Sequence, residues 1–346
     1  MRLNYFDYFR AIAIIIIVAG HSFSLWVIDT LPEKVLANII TGGTSLFVFI
    51  SGFFFHHIFY KNFKYQIFIQ KKIKNVLFPY LILSTLAFLV VVIILGDDFF
   101  QQAKNLNSFL NYFTLYFKYL WTGKVLTAYW YIPFIMLTFA LSPIFLKFIE
   151  LKKNKQLLTL LTLLFFSMLV HRPEANLSPF HSFIYFTPIY LLGIFFSIHQ
   201  DKALHFLEGK IILLGIGVVS LALLQIKSHG SYGNYHKMDM FSYHGIDRII
   251  IQKILLIFFI IALLQKFANK QIQVLKYLAS LSFPIFFIHP WITFFIKYSA
   301  IYEYLLFLPG FVIFIIITTS AVLGSILVAG LIKLIFKKRS SYIIGW

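Results

Sequence analysis

The chain of 346 residues contains no cysteine. Without thiols it can form no disulfide framework, use no thiolate nucleophile and hold no cysteine-ligated metal ion. Histidines do not fill that place, because no His-x-x-x-His pair with a partner carboxylate lies within an apolar run. His56 and His57 are adjacent, so they point to different faces of a helix. The sequence therefore predicts no metal site.

Charged residues are also scarce, at 12% of the chain, whereas hydrophobic residues make up 60% and include 43 Phe and 20 Tyr. This composition excludes a set of soluble domains. Apolar runs of about twenty residues recur from end to end, and each predicts a transmembrane helix. The runs are apolar on every face, unlike the alternating strands of a membrane barrel. The first run has no small-residue cleavage site, so we expect no cleavable signal peptide.

The predicted fold is an all-α integral membrane protein, a polytopic bundle of about ten transmembrane helices in a single membrane domain over residues 1–346. The predicted spans cover residues 8–28, 38–60, 75–95, 126–147, 156–170, 182–199, 209–226, 249–266, 278–298 and 304–336. The aromatic segment from Asn107 to Trp121 is interrupted by polar residues, so we expect it to lie at the membrane interface.

Basic residues outnumber acidic ones by 30 to 12, which gives a net charge of +18. They cluster in alternate short loops between the apolar runs, so they are a membrane orientation signal and not a nucleic-acid surface. The rule that positive loops stay inside predicts that both termini are cytoplasmic.

Two polar residues stand out in the first span, Arg10 and His21. Eleven residues apart, they project from one helix face about three turns, or roughly 16 Å, from each other. An ionisable group in a span is costly to keep there, so it is a candidate functional residue by default. Neutral imidazole is a suitable general base, and guanidinium forks onto phosphate or carboxylate. The alternatives are a snorkelling Arg10 paired with Asp7 and a His21 that only packs.

Further candidates lie on other spans. A basic run before the third span contains Lys71, Lys72 and Lys74, which are suitable for phosphates at the cytoplasmic surface. Substrate-binding candidates near the spans are Ser51, Tyr129, Trp130 and His289. Each has a structural alternative, since small residues pack helices, aromatic belts mark interfaces and basic flanks orient spans. The loop from Lys227 to Arg248 is rich in Gly, Tyr and His, which is typical of either a sugar-binding surface or a solvated loop.

Several motifs together resemble the acyltransferase 3 family, bacterial membrane enzymes that O-acylate cell-surface glycans. They are Asp7-Tyr-Phe-Arg10 followed by ten residues and His21, Leu46-Phe-Val-Phe-Ile-Ser-Gly-Phe-Phe-Phe55, Pro79-Tyr80, Tyr129-Trp-Tyr-Ile-Pro133 and Ser282-Phe-Pro-Ile-Phe-Phe-Ile-His289-Pro290. Two positions depart from the family pattern. Lysine replaces arginine before the third span, and Tyr129 stands where the family often has histidine.

The resemblance implies transfer of an acyl group, most often acetyl, from cytoplasmic acyl-CoA to a hydroxyl of a cell-surface glycan or its lipid-linked precursor. Arg10 with Lys71, Lys72 and Lys74 would bind the CoA end, and His21 would act as general base or acyl relay. The resemblance also implies that the protein is surrounded by membrane lipids in the bacterial inner membrane. It implies no permanently bound cofactor. The alternatives from the sequence are a transporter or flippase of a glycan or lipid-linked sugar, and a structural subunit.

Overall fold

Helices form almost all of the secondary structure in the computed structural model, which describes residues 3–25, 28–102, 108–230, 232 and 236–346. The first half contains α1 (Asn4–Ser22), α2 (Leu31–Ile40), α3 (Thr44–Phe54), α4 (Tyr65–Lys72), α5 (Phe78–Ala87), α6 (Phe109–Thr122), α7 (Tyr131–Ala140), α8 (Ser142–Ile149) and α9 (Lys153–Val170). The second half contains α10 (Pro179–Ile198), α11 (Gln200–Leu207), α12 (Ile211–His229), α13 (Ile249–Gln265), α14 (Gln273–Ser280), α15 (Ser282–Lys297), α16 (Ala300–Leu305), α17 (Gly310–Phe336) and α18 (Ser340–Ile344).

Short irregular elements connect these helices. Wide π-helical turns follow α3, α4 and α5 at Phe55–Phe59, Ile73–Leu77 and Phe88–Ile94. Tight 3₁₀ turns occur at Phe23–Leu25, Tyr60–Asn62, Glu174–Asn176 and Lys337–Arg339. Two strands of two residues each, β1 (Arg172–Pro173) and β2 (His236–Lys237), pair in parallel with Arg172 opposite His236. This strand pair joins the loop after α9 to the loop after α12.

Six helical segments of the described chain are long and apolar enough to cross a membrane, namely Asn4–Ser22, Leu31–Asn62, Tyr65–Ile94, Pro179–Ile198, Ile211–Ser228 and Gly310–Ile344. The count rises to eight if α7 with α8, bent by 58°, and α14 with α15, bent by 70°, each form one span. The predicted multi-pass helical protein is thereby confirmed. The count of ten spans and the cytoplasmic termini stay predictions.

Helix α1 lies inside the bundle and packs against α2, α3, α13, α14, α15 and α17. Large apolar side chains such as Phe6 and Phe9 are fully buried on it, and the Phe6 ring stacks on Phe53 of α3 with centroids 3.5 Å apart. Because α1 has neighbours on several sides, its polar residues face protein and internal cavities. The first predicted span is therefore largely a core helix of the bundle.

Glycine allows α3 and α10 to approach closely. A Cβ at Gly52 would lie 1.9 Å from the carbonyl oxygen of Tyr190, and one at Gly193 would lie 2.1 Å from that of Phe49. Any side chain at either position would collide with rigid backbone. This agrees with the close helix contact expected from the small residues of the second predicted span.

The end of α2 is held by a buried cation. Lys253 of α13 is 1% exposed, and its ammonium donates hydrogen bonds to the carbonyl oxygens of Asn38, at 2.6 Å, and Ile39, at 3.0 Å. A cation there satisfies helix-terminal carbonyls and complements the negative end of the helix dipole. The contact fixes the turn between α2 and α3, which borders the site described below.

Candidate active site

Arg10 is half-buried in the middle of α1, and its guanidinium is oriented by α15. Its Nη2 donates a hydrogen bond of 2.9 Å to the Ser282 hydroxyl, and its central carbon lies 6.0 Å from the centroid of the Phe54 ring. Ser282 is the first residue of α15, directly after the bend from α14. The bend therefore brings a polar side chain to Arg10 inside an apolar bundle.

Beside Arg10 lies a cavity of about 660 Å³, which we call the large cavity. Its size falls in the usual range of small-molecule sites, about 300–1,000 Å³. Most of the wall is aromatic or aliphatic, and it also contains the charged side chains of Asp7, Arg10 and Lys72 and the imidazole of His57. The Lys72 ammonium lies 4.4 Å from the centroid of the Phe139 ring, so aromatic faces hold it at the wall.

The three predicted lysines do not act as one group in the structure. Lys72 is half-buried and lines the large cavity, whereas Lys71 and Lys74 are exposed and are not part of its wall. The Lys74 ammonium instead lies 4.8 Å from the centroid of the Tyr342 ring. The structure therefore brings only Lys72 of this group to the cavity that Arg10 borders.

A narrow gap of about 10 Å³ separates the large cavity from His21. Phe47 and Tyr131 line both spaces, and the gap is further bounded by Ile17, Thr44, Ala128, Trp130 and Phe286. Its volume is at the lower limit for one water molecule, about 10–15 Å³. The large cavity thus shares two wall residues with the gap, and His21 is in the wall of the gap.

His21 and His289 form a pair, although 268 residues separate them in the chain. Nδ1 of His21 lies 2.8 Å from Nε2 of His289, and the two rings are nearly parallel, at 5°, with centroids 5.1 Å apart. Nδ1 of His289 lies 2.8 Å from the carbonyl oxygen of Ile285. His289 is fully buried, and His21 is half-buried.

These contacts assign the protons of the pair when both rings are neutral. A carbonyl oxygen only accepts, so Nδ1 of His289 carries the hydrogen that it donates to Ile285. Its Nε2 then accepts, and Nδ1 of His21 is the donor. The remaining nitrogen of His21, Nε2, is consequently the proton-accepting one. A neutral histidine in that tautomer has the form that a general base needs.

Two further cavities meet His21 toward the C-terminal end of α1. The polar cavity, of about 390 Å³, includes Asp97, Lys124, Lys297 and Tyr298 in its wall. The arginine cavity, of about 170 Å³, is lined by Ile17, Gly20, His21, Phe23, Ile40, Thr41, Gly42, Gly43, Thr44, Thr127, Trp130, Arg172, Asn176 and His236. His21 is therefore at the junction of three spaces, the gap that leads to the large cavity and two more polar cavities.

The structure gives the predicted substrate-binding residues different positions. Ser51 lines the large cavity, and Trp130 lines both the gap and the arginine cavity. Tyr129 is fully buried and lines none of the four cavities described here. Its hydroxyl donates to the carbonyl oxygen of Phe287, at 2.8 Å, and accepts from Nε1 of Trp291, at 3.1 Å. Tyr129 thus positions the helix that carries His289.

The long polar loop from Lys227 to Arg248 reaches the site through His236, which lines the arginine cavity. Residues 231 and 233–235 of that loop lie outside the described residues, as does Asn107 of the predicted interfacial segment. Helix α6, from Phe109, carries exposed Phe113 and Phe117 side chains.

Sequence reasoning missed Arg172, which it treated only as a loop charge. In the structure Arg172 is 6% exposed and shares the arginine cavity with His21. The available signal was weak, since an arginine directly after an apolar run is also a common topological marker. Its inward position depends on the pairing of β1 with β2, which local sequence patterns do not predict.

The fold and the site define a multi-pass membrane protein with a histidine pair where internal cavities meet. The model of the acyltransferase 3 family, described as an acyltransferase domain, matches residues 3–330 of the 346, so the chain belongs to that family of membrane acyltransferases. No curated protein and no solved structure matches the chain. The family membership confirms the resemblance seen in the sequence motifs.

Proposed function

We propose that this protein transfers an acyl group, most simply acetyl, from cytoplasmic acyl-CoA to a hydroxyl of a cell-surface glycan or its lipid-linked precursor. The observation that carries the proposal is the position of His21, between the end of the large cavity and two polar cavities. Such a position is suitable for a residue that receives one substrate from each side.

The large cavity is the proposed donor site. Arg10 and Lys72 would hold phosphate groups of the cofactor, because both cations line its wall and guanidinium binds phosphate in a fork. The aromatic wall would enclose the pantetheine arm, which then runs along α1 toward His21 over roughly 16 Å. Exposed Lys71 and Lys74 would add to the positive potential at the cavity entrance.

His21 is the proposed general base. Its Nε2 would take the proton of the acceptor hydroxyl, the resulting alkoxide oxygen would attack the thioester carbonyl, and the C–S bond would break. The departing thiolate would take the proton back from His21. Helix α3 begins at Thr44 in the wall of the gap, so the oxyanion of the tetrahedral intermediate would form near the positive end of that helix.

A covalent relay uses the same geometry. In that route Nε2 of His21 attacks the thioester, CoA leaves as the thiolate, and the acyl-imidazole is then attacked by the acceptor hydroxyl. An isolated acyl-enzyme after incubation with labelled acetyl-CoA alone would select this route. In both routes His289 would orient the ring of His21.

The proposed topology has ten spans, with both termini in the cytoplasm of a bacterial inner membrane. It adds the 18-residue α9 and the 17-residue α13 to the eight segments counted above. It rests on the basic loops, which occur on one side in this arrangement.

The test is incubation of membranes that contain the protein with labelled acetyl-CoA or succinyl-CoA, followed by identification of the labelled glycan. We expect one donor to label a membrane glycan, and we expect no labelling when His21 is replaced by alanine. Cavities on both sides of a narrow gap are also typical of a transporter. Glycan movement by the purified protein in vesicles without acyl-CoA, together with absent labelling, would establish that alternative.

A further inference from the structure

We propose that the acceptor carries an anionic group, a carboxylate or a phosphate, which Arg172 binds while the acceptor hydroxyl faces His21. This inference rests on the proposed function and adds the chemical class of the acceptor. The juxtaposition that carries it is a buried guanidinium and the histidine pair in the wall of one cavity.

Arg172 is fixed in the arginine cavity by three kinds of contact. It belongs to β1, which pairs with β2 opposite His236. Its Nε donates a hydrogen bond of 2.7 Å to Oδ1 of Asn176. Its guanidinium carbon lies 4.6 Å from the centroid of the Trp130 ring and 5.7 Å from that of Phe186. Stacking and hydrogen bonding therefore orient the guanidinium plane before any ligand arrives.

Trp130 connects this guanidinium to the reacting position. It lines the gap beside His21 as well as the arginine cavity, so one indole borders both groups. A ligand bound by Arg172 would lie within the same small volume of about 170 Å³ that His21 also borders. An anion on the acceptor is thus held close to the hydroxyl that reacts.

The charges around the arginine cavity favour an anion. Burial lowers the pKa of Arg172 to about 10, so the guanidinium remains charged at neutral pH. The nearby carboxylate of Asp247 accepts hydrogen bonds from the hydroxyl of Tyr185 and the backbone N–H of Ile249, both at 2.8 Å, and it is not part of the cavity wall. Burial and Arg172 lower the pKa of His236 to about 4, so that ring is neutral.

The charges of the adjoining polar cavity also favour an anion. It contains two lysines, Lys124 and Lys297, against one carboxylate, Asp97, which accepts a hydrogen bond from Tyr298. A neutral sugar could be bound by hydroxyls and amides, without the cost of burying a charge. A buried, pre-oriented guanidinium is instead the group that recognises carboxylate or phosphate in a fork.

The first test uses the labelled glycan from the acylation experiment. We expect the acylated sugar or its direct neighbour to carry a carboxylate or a phosphate, and labelling of a wholly neutral glycan would overturn this inference while the proposed function stands. Absence of labelling with every donor would instead contradict the proposed function.

The second test measures inhibition of that labelling reaction by matched small molecules. Methyl glucuronoside and glucose 1-phosphate should inhibit at least tenfold more strongly than methyl glucoside, and the stronger of the two tells whether the anion is a carboxylate or a phosphate. Equal inhibition by charged and neutral compounds would count against the role of Arg172. This measurement needs no variant, so it is independent of folding.

Substitution of Arg172 then tests whether this residue causes the preference for charged inhibitors. Arg172→Gln should remove the preference for the charged inhibitor and raise the acceptor KM at least tenfold, whereas Arg172→Lys, which keeps the charge without the fork, should show an intermediate preference. Arg248→Gln is the matched control, because Arg248 donates to the Ser228 hydroxyl away from the cavity. An unchanged preference in Arg172→Gln would sink the proposal.

Discussion

The large cavity and the arginine cavity approach the same histidine, yet they differ in size and chemistry. The first has about 660 Å³ and a mainly aromatic and aliphatic wall with a few charges. The second has about 170 Å³, and its wall combines apolar side chains with hydroxyl, amide, imidazole and guanidinium groups. A long, largely apolar arm with phosphates at one end suits the first. A compact polar group suits the second. This asymmetry is what the proposed reaction requires, in which two chemically unlike substrates meet at His21.

Removal of the shared histidine should have the largest effect. His21→Ala takes away the group common to both sides, and loss of a general base typically costs about 10²–10⁴-fold in rate. We therefore expect acyl transfer to fall about a thousandfold, the middle of that range, while acyl-CoA binding is retained. Labelling of membranes measures acyl transfer, and isothermal titration calorimetry measures acyl-CoA affinity. His205→Ala is the control, because the His205 side chain is exposed. Full acyl transfer by His21→Ala would refute a chemical role of His21.

Loss of His289 should be the next most damaging change, because it removes the acceptor that fixes the tautomer of His21. We expect His289→Ala to lower kcat by roughly 10²-fold, as for a lost positioning interaction, with little change in either KM. His289→Gln offers an acceptor oxygen and should recover part of the rate. Equal loss in both variants, with normal thermal stability, would mean that the hydrogen bond to His21 is unimportant.

Arg10→Lys probes only the large cavity. Lysine keeps the charge but loses the fork, so we expect the KM for acyl-CoA to rise about tenfold, which corresponds to about 1.4 kcal/mol. The acceptor KM should stay constant, since Arg10 lines the large cavity alone among those described. An effect on the acceptor KM instead would show that the two substrates do not use separate cavities.

The lysines provide a finer comparison within one segment. Lys72→Gln should weaken acyl-CoA binding by about three- to tenfold, because its ammonium lines the cavity wall, and Lys71→Gln should change it by less than about twofold, as expected for an exposed charge. Both changes remove one positive charge, so each is the control for the other. Direct measurement of acyl-CoA affinity at two salt concentrations would separate contact from long-range attraction.

Tyr129→Phe should have the smallest effect on transfer. It removes a hydroxyl that hydrogen-bonds the Phe287 carbonyl and the Trp291 indole but lines none of the four cavities described, so we expect a loss of about 1–2 kcal/mol in stability and less than about twofold change in kcat. Thermal unfolding and transfer per folded molecule measure the two quantities. A large rise in acceptor KM would restore Tyr129 as a sugar-binding residue.

The sequence could predict features that depend on local periodicity. Helix α1 contains both Arg10 and His21 as the spacing indicated, and the small residues of α3 do contact α10. It could also have separated the lysines. Lys71 and Lys74 are three residues apart and share a helix face, whereas Lys72 projects elsewhere. The structure follows that rule, although composition alone had grouped all three.

Contacts between distant segments were beyond local patterns. The pairing of His21 with His289 depends on how α15 packs on α1, and the inward position of Arg172 depends on two strands of two residues each. Tyr129 and Trp130 are neighbours in one aromatic motif, yet of the two only Trp130 lines any of the four cavities described. Which of two adjacent side chains is structural depends on tertiary packing that an aromatic motif does not encode.

The gap beside His21 is barely large enough for one water molecule, although cavities lie on both sides of it. In a membrane that maintains a voltage, each elementary charge crossing gains about 2.3 kcal/mol per 100 mV. A water-filled path would therefore dissipate the ion gradient. With Phe47, Trp130 and Tyr131 in its wall, the gap is too small for a hydrated ion, so no continuous water-filled path runs through it between the large cavity and the polar cavity.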